Sequence, residues 1–220
     1  MLIKIIKIIF IYCIFETQLR EKTLPFGLIT LYTLEWLVVW KSPLTTIHND
    51  LWRLQNLKVI ELTCNKIKAI PSSIGKMAHL ERLNLDNNQI TSVPKSLGKC
   101  PKLLEVDLSR NKLEAFPSEG FQKLEWLDIS KNKIRNLPDV INWPNIKSLW
   151  ALCNEIEHVQ PEFCNPKLDT VNLSNNKLNK LPEEFGDITG LISLWLSENQ
   201  FTEIPSCLFR YALQERKTLT

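Results

Sequence analysis

One pattern, L-x-x-L-x-L-x-x-N-x-I-x-x-I-P, returns along most of this 220-residue chain, with leading residues at Leu57, Leu80, Leu103, Leu124, Ile146, Leu168 and Leu191. Successive starts lie 23, 23, 21, 22, 22 and 23 residues apart. A unit this small cannot bury its own apolar edge, so a period of this length marks a structure made by stacking copies on one another. A weaker copy starts at Leu34, where Leu37, Val39, Leu44, Ile47 and Leu51 hold the apolar positions and Ser42 stands in place of asparagine. It is expected to form the first coil. In each copy the apolar fourth and sixth residues alternate with mostly polar third and fifth ones, which is the period of a strand with one buried face. Each copy should therefore add one short strand to a parallel sheet of seven or eight, with Ile60, Leu83, Val106, Leu127, Leu149, Val171 and Leu194 pointing inward.

The ninth position is an asparagine in every strong copy: Asn65, Asn88, Asn111, Asn132, Asn154, Asn176 and Asn199. The chain turns out of the sheet there, and a primary amide has the donors and acceptors to satisfy the backbone groups that the turn leaves unpaired. Apolar-proline pairs follow at 70–71, 93–94, 116–117, 137–138, 181–182 and 204–205. Proline fixes φ and removes a donor, so the return path is expected to be extended or turning rather than a long helix. The Ile146 copy departs from the pattern, with Ala151 at a leucine position and the proline of Val159-Gln160-Pro161 displaced by one, and a local change of curvature is expected there.

These 23-residue copies, with I-P after the asparagine, resemble the cytoplasmic type of leucine-rich repeat over Leu34 to Tyr211. Ras-pathway scaffolds, plant intracellular Ras-group repeat proteins and the polarity proteins Scribble and Erbin carry repeats of this kind. The resemblance implies an α/β solenoid, a right-handed horseshoe with a parallel concave sheet and an irregular convex side. It divides the chain into an apolar leader with a candidate partial coil (1–33), a repeat domain of about eight coils (34–211) and a tail (212–220). It also implies an adaptor or scaffold in intracellular signalling rather than an enzyme, with a small GTPase or its effector as partner.

Charge narrows the partner further. Lys and Arg number 27 against 24 Asp and Glu, so the net charge of +3 gives no whole-chain electrostatic case for nucleic acid. Cys13, Cys64, Cys100, Cys153, Cys164 and Cys207 are dispersed, with no C-x-x-C pair for a metal or redox site, which points to free thiols in a reducing compartment. The cysteine-rich caps of extracellular family members have no counterpart here. Met1–Phe15 has early lysines and then an apolar run, the order of parts in a secretory signal. Yet Lys7 interrupts it, no A-x-A-like site follows, and Ile8–Phe15 falls far short of the ~20 residues that span a bilayer. A cytoplasmic location is expected. A membrane-associated or secreted receptor, reached through residues 1–20, is the alternative, as is the sensor fragment of a larger signalling enzyme. The sequon Asn172-Leu173-Ser174 falls in a regular strand, which argues against glycosylation.

Catalysis needs converging groups, and the repeat register separates them. His48, His79 and His158 occupy different positions of three different coils, so no metal site, cofactor or nucleophile system is expected. Cys64 and Cys153 share the eighth position, but four coils at about 4.8 Å each place them roughly 19 Å apart, beyond disulfide reach. Binding then falls to the third and fifth positions. These read Trp36, Val59, Arg82, Glu105, Trp126, Ser148, Thr170 and Ser193, and Val38, Glu61, Asn84, Asp107, Asp128, Trp150, Asn172 and Trp195. Interfaces are enriched in tryptophan and arginine anchors. Trp126, Trp150 and Trp195, with Arg82, Glu105, Asp107 and Asp128, are the candidate partner-binding residues, and the acidic excess predicts a basic epitope on a protein partner. Trp143 sits at a return-path core position and Trp52 beside Leu51, so neither is assigned to binding.

Overall fold

The structure, a computed structural model, describes residues 8–12, 22–24 and 26–209. Among the described residues nine strands form one parallel sheet in chain order. They are β1 (Ile8–Tyr12), β2 (Trp36–Trp40), β3 (Val59–Glu61), β4 (Arg82–Asn84), β5 (Glu105–Asp107), β6 (Trp126–Asp128), β7 (Ser148–Trp150), β8 (Thr170–Asn172) and β9 (Ser193–Trp195). Equal repeat positions face each other: Leu83 pairs with Val106, Val106 with Leu127 and Leu127 with Leu149. The inward set is buried from Ile60 to Val171, while Leu194 in the last coil is only partly covered.

The expected strand count was seven or eight, and the ninth comes from the apolar leader. Ile8–Tyr12 pairs in parallel with Trp36–Trp40, Ile8 opposite Trp36. This run of β-branched and aromatic residues meets the otherwise open edge of β2, whose unpaired backbone groups are a template for another strand. The rest of the leader (1–7 and 13–21) and residues 210–220 lie outside the described residues, and with them most of the signal or anchor segment and the whole tail. No helix among the described residues is long and apolar enough to cross a membrane.

The asparagine column acts as read from the sequence. Asn111 Nδ2 donates to the carbonyls of Leu108 and Ser109 in its own coil and of Leu85 in the previous one, each at 3.0 Å. Its Oδ1 accepts from Ile90 N at 2.9 Å, and Asn88, Asn132, Asn154, Asn176 and Asn199 repeat the arrangement. Just before each asparagine, or before Ser42, stands a residue in the left-handed region: Lys41, Cys64, Asn87, Arg110, Lys131, Cys153, Asn175 and Glu198 have φ between 48° and 56°. The tight turn aims the amide into the stack.

Coil length sets the convex side. Three 23-residue coils follow their proline with a five-residue 3-10 helix, at Ser72–Lys76, Lys95–Lys99 and Glu183–Asp187. The 21-residue Leu103 coil has none and turns instead through Gly120 and Phe121, at φ 94° and 58°. Between sheet and return path runs one apolar core from Leu24 to Cys207. Trp143 is fully buried in it against Phe116 and Phe121, with its indole N–H donating to Ser118 O at 2.7 Å.

Candidate protein-binding face

The third and fifth residues of each copy, the first and third of its strand, stand on the open side of the sheet, opposite the core, as the pleat requires. Three of them are not available. Val38, Val59 and Asn172 are buried, contrary to the expectation for these two columns. Asn172 Oδ1 turns back to accept from Ser174 N at 3.1 Å.

Arg82 and Glu105, on β4 and β5, are spent on each other. The guanidinium donates Nε to Oε2 at 2.6 Å and Nη2 to Oε1 at 3.1 Å, and this pairing raises the arginine pKa further above its ordinary value. One strand earlier Lys58 pairs with Glu35 at 3.1 Å. These residues, with Trp36, Val59 and Glu81, line a hollow of about 430 Å³ whose charges are largely matched.

Farther along the sheet the balance changes. Asp107 and Asp128 are strand neighbours, paired in register on β5 and β6. Each folds one carboxylate oxygen back onto the turn: Ser109 N and Oγ donate to Asp107 Oδ1 at 2.9 and 2.7 Å, and Ser130 N to Asp128 Oδ1 at 2.8 Å. Ser109 Oγ also reaches Asp86 Oδ1 at 2.9 Å, and Arg110 grips Asp86 through both carboxylate oxygens at 3.0 and 3.2 Å. Neither Asp107 nor Asp128 has an ion pair among the described residues. Partial burial raises both pKa values; hydrogen bonds from Ser109 and Ser130 oppose the shift, Asp86 adds to it for both, Asp107 adds to it for Asp128, and the Arg110 charge works against it at Asp107.

Trp150 follows in the same row, in register with Asp128 on one side and Asn172 on the other. Its ring stacks on Trp195 across Asn172, with centroids 5.4 Å apart and planes 30° apart, and its N–H donates to Ser148 Oγ at 2.9 Å. Trp126 is half-buried on β6, between Glu105 and Ser148. The seven candidates thus share one face but divide into a matched ion pair, Arg82–Glu105, and a cluster of carboxylates beside indoles. Sequence reasoning missed Asp86, Ser109 and Ser130, although an Asp or Asn followed two residues later by Ser, as in Asp107-Leu108-Ser109, is the signature of a side chain closing its own turn.

Other reactive groups lie elsewhere. Cys64 and Cys153 are half-exposed at their turns, while burial pushes the Cys100 thiol up to about 11 and Cys164 to about 12, which keeps both protonated and unreactive. His48 Nδ1 accepts from Asp50 N at 3.0 Å and His79 Nδ1 lies 2.9 Å from Gln55 O, each held by its own backbone contact. Among the described residues no group of His, Cys, Asp or Glu is placed to hold a metal ion.

Known proteins share this architecture. A family profile described as "Leucine rich repeat" matches residues 33–90 and 78–134, and a second of the same description matches 167–188 and 190–211. Keratocan of Mus musculus is 33% identical over 91 residues, covering 40% of this chain and 26% of keratocan, so the chain spans about a quarter of that relative. A leucine-rich repeat protein of Leptospira interrogans superposes with a TM-score of 0.63 at 23% identity, over 87% of this chain and 56% of that one. The plant peptide hormone receptor RGFR1, solved in complex with RGF2, gives 0.73 at 23% identity, over 86% of this chain and 32% of the receptor. At these identities the structural likenesses establish the fold.

Proposed function

Because this chain belongs to the leucine-rich repeat family, we propose that it is a protein-binding adaptor or scaffold that grips a basic segment of its partner on the face built by Asp107, Trp126, Asp128, Trp150 and Trp195, with Arg82 and Glu105 at the rim. One observation carries the reading. The stacked pair Trp150–Trp195 lies in one row with Asp128 on the adjacent strand and Asp107 on the next, two carboxylates without an ion pair among the described residues. An indole shelf supplies anchoring area, and unmatched acids supply complementarity to a cationic surface. The receptor RGFR1 holds RGF2, which supports peptide or protein recognition by the fold. We place the activity in intracellular signalling, with a small GTPase or its effector as partner class. The half-exposed thiols Cys64 and Cys153 and the pairing of Ile8–Tyr12 with β2 support that placement over an anchored or secreted form. Cell fractionation with intact-mass analysis tests it; recovery in membranes or of a shortened chain would reject it.

The binding test uses a partner captured by the purified chain, then titrated against variants. Trp150→Ala weakens binding at least roughly thirtyfold, the usual scale for an anchor. Asp128→Ala costs less, and its effect shrinks as salt rises. Trp52→Ala, on the return path under Lys76, leaves affinity unchanged. Binding that survives Trp150→Ala but fails with a folded Trp52→Ala would move recognition to the convex side.

A further inference from the structure

Val59 leaves a gap in the first half of the concave face. It stands on β3 with Trp36 beside it on β2 and Arg82 on β4, all in register. At the comparable gap over Asn172 the flanking rings of Trp150 and Trp195 close together and stack at 5.4 Å. Over Val59 no such closure occurs, because the long side chains around it are drawn to opposite sides. Arg82 donates twice to Glu105 on β5, and Lys58 donates to Glu35, beside β2, at 3.1 Å. The space between them stays open as a hollow of about 430 Å³.

Its lining is of two kinds. Trp36, 42% exposed, the half-buried Leu104 and Val59 itself supply apolar surface. Glu81 supplies a carboxylate with no ion pair or side-chain hydrogen bond among the described residues, whereas Glu35 and Glu105 each hold a cation. Glu35, Glu81 and Glu105 against Lys58 and Arg82 leave one negative charge over, and Glu61 acts on Arg82 as well, so the guanidinium is more than offset.

A cavity of this make-up suits a side chain that is apolar along its length and carries a single positive charge at its end. Lysine answers that description: its stem lies on apolar surface while the ammonium stays with a polar group, and an indole wall attracts the cation further. A wholly apolar side chain would desolvate Glu81 without compensation, and an anion would meet it as a like charge. We propose that the hollow over Val59, between Trp36 and Arg82, is a lysine subsite that takes one lysine side chain of a protein partner with its ammonium at Glu81. This goes beyond the reading above, and it stands on the hollow rather than on Asp107 and Asp128.

The chain has seven tryptophans, and in the nuclear magnetic resonance spectrum of the isotope-labelled full chain Trp36→Phe identifies the Trp36 indole N–H signal by its loss. The probes are Nα-acetyl-lysine methylamide and its norleucine analogue, which keeps the stem and lacks the charge. The lysine compound should move the Trp36 signal saturably with a Kd on the order of 1–10 mM, the scale of a single side chain, and the norleucine compound should bind at least about tenfold more weakly. Glu81→Gln should weaken the lysine compound at least about fivefold while the other indole signals stay in place. Val59→Phe, which keeps Glu81 and Trp36 but fills the hollow, should abolish the shift. Glu119→Gln, which removes an exposed carboxylate of the return path, should change nothing. A Trp36 signal that does not move, equal affinity for the two compounds, or lysine binding that persists in Glu81→Gln or in Val59→Phe overturns the subsite. Such a failure is distinct from failure of the partner-binding face, which is read from Trp150→Ala and the captured partner.

Discussion

Asn111 joins two coils through a single amide, and its value lies in what would be stranded without it. Leucine has similar size but neither donor nor acceptor, so Asn111→Leu leaves Ile90 N and the carbonyls of Leu85, Leu108 and Ser109 short of partners in the interior. A buried unsatisfied group costs about 1–3 kcal/mol, and carbonyls sharing one amide recover part of theirs, so a loss near 3 kcal/mol is expected from urea unfolding. The neighbouring exposed change Lys112→Ala should stay within about 0.5 kcal/mol, and equal midpoints would remove the structural role of the column. Asp128 presents the opposite case. Burial, with Asp107 and Asp86 nearby, raises its folded-state pKa, so the ionised form opposes folding at neutral pH and the opposition is lifted as pH falls through that pKa. Asp128→Asn should therefore raise the calorimetric midpoint at pH 7, and the advantage should narrow as pH falls through the raised folded-state pKa, where the wild-type carboxyl takes up its proton. A lower midpoint for the variant at pH 7 would contradict this account.

Return paths set how closely coils can stack, and the decisive contact is between backbones. A Cβ placed on Gly98 would collide with the carbonyl oxygen of Glu119 and the Cα of Gly120, neither of which can move by changing rotamer. The same approach lets Phe121 N donate to Gly98 O at 3.0 Å. Gly98→Ala should thus destabilise by about 2 kcal/mol or more, the cost of overpacking a tight interior. Gly27→Ala is the control: nothing lies within 4 Å of its added carbon, so its midpoint should hold or rise slightly. A loss for Gly98→Ala no larger than that for Gly27→Ala would show that the coils can slide apart. The turn ahead of each asparagine is strained in a different sense, since left-handed backbone costs a residue with a Cβ roughly 1–2 kcal/mol. It is held by hydrogen bonds to the next coil, as from Arg110 N to Ser130 O and from Lys131 N to Leu152 O.

Over the whole array each coil touches only its neighbours, so protection should follow position along the stack. Leu149 is fully buried between β6 and β8, whereas Leu194, Leu196 and Phe201 in the last described coil are only partly covered. Native-state hydrogen exchange should therefore find the amides of Leu108 and Ile129, bonded to Asp128 O and Trp150 O, protected at least about tenfold more than that of Leu196. Uniform protection would mean that the stack opens only as one unit. Charge is also graded along the array: the concave face is matched around Arg82 and unmatched from Asp107 to Trp150. Association with a cationic partner should begin at that second half.

Periodicity alone determined the stack, the inward leucines, the asparagine column and the face that carries Trp126, Asp128 and Trp150, because a repeat places equal positions in equal surroundings whatever the neighbours are. Three things were not legible in that way. The left-handed turns fall on Asn at only two positions and on Lys, Cys, Arg or Glu at the other six, since hydrogen bonds from the adjacent coil, not local preference, hold them. The strand Ile8–Tyr12 lies outside the repeat and reads as an apolar leader until the edge of β2 is present to pair with it. Which charged residues on the face are paired also depends on reach between coils: Arg82 meets Glu105 and Arg110 meets Asp86, while Asp107 and Asp128, of the same type in the same column, form no ion pair among the described residues. That is a matter of distance across the sheet, and only the folded chain sets it.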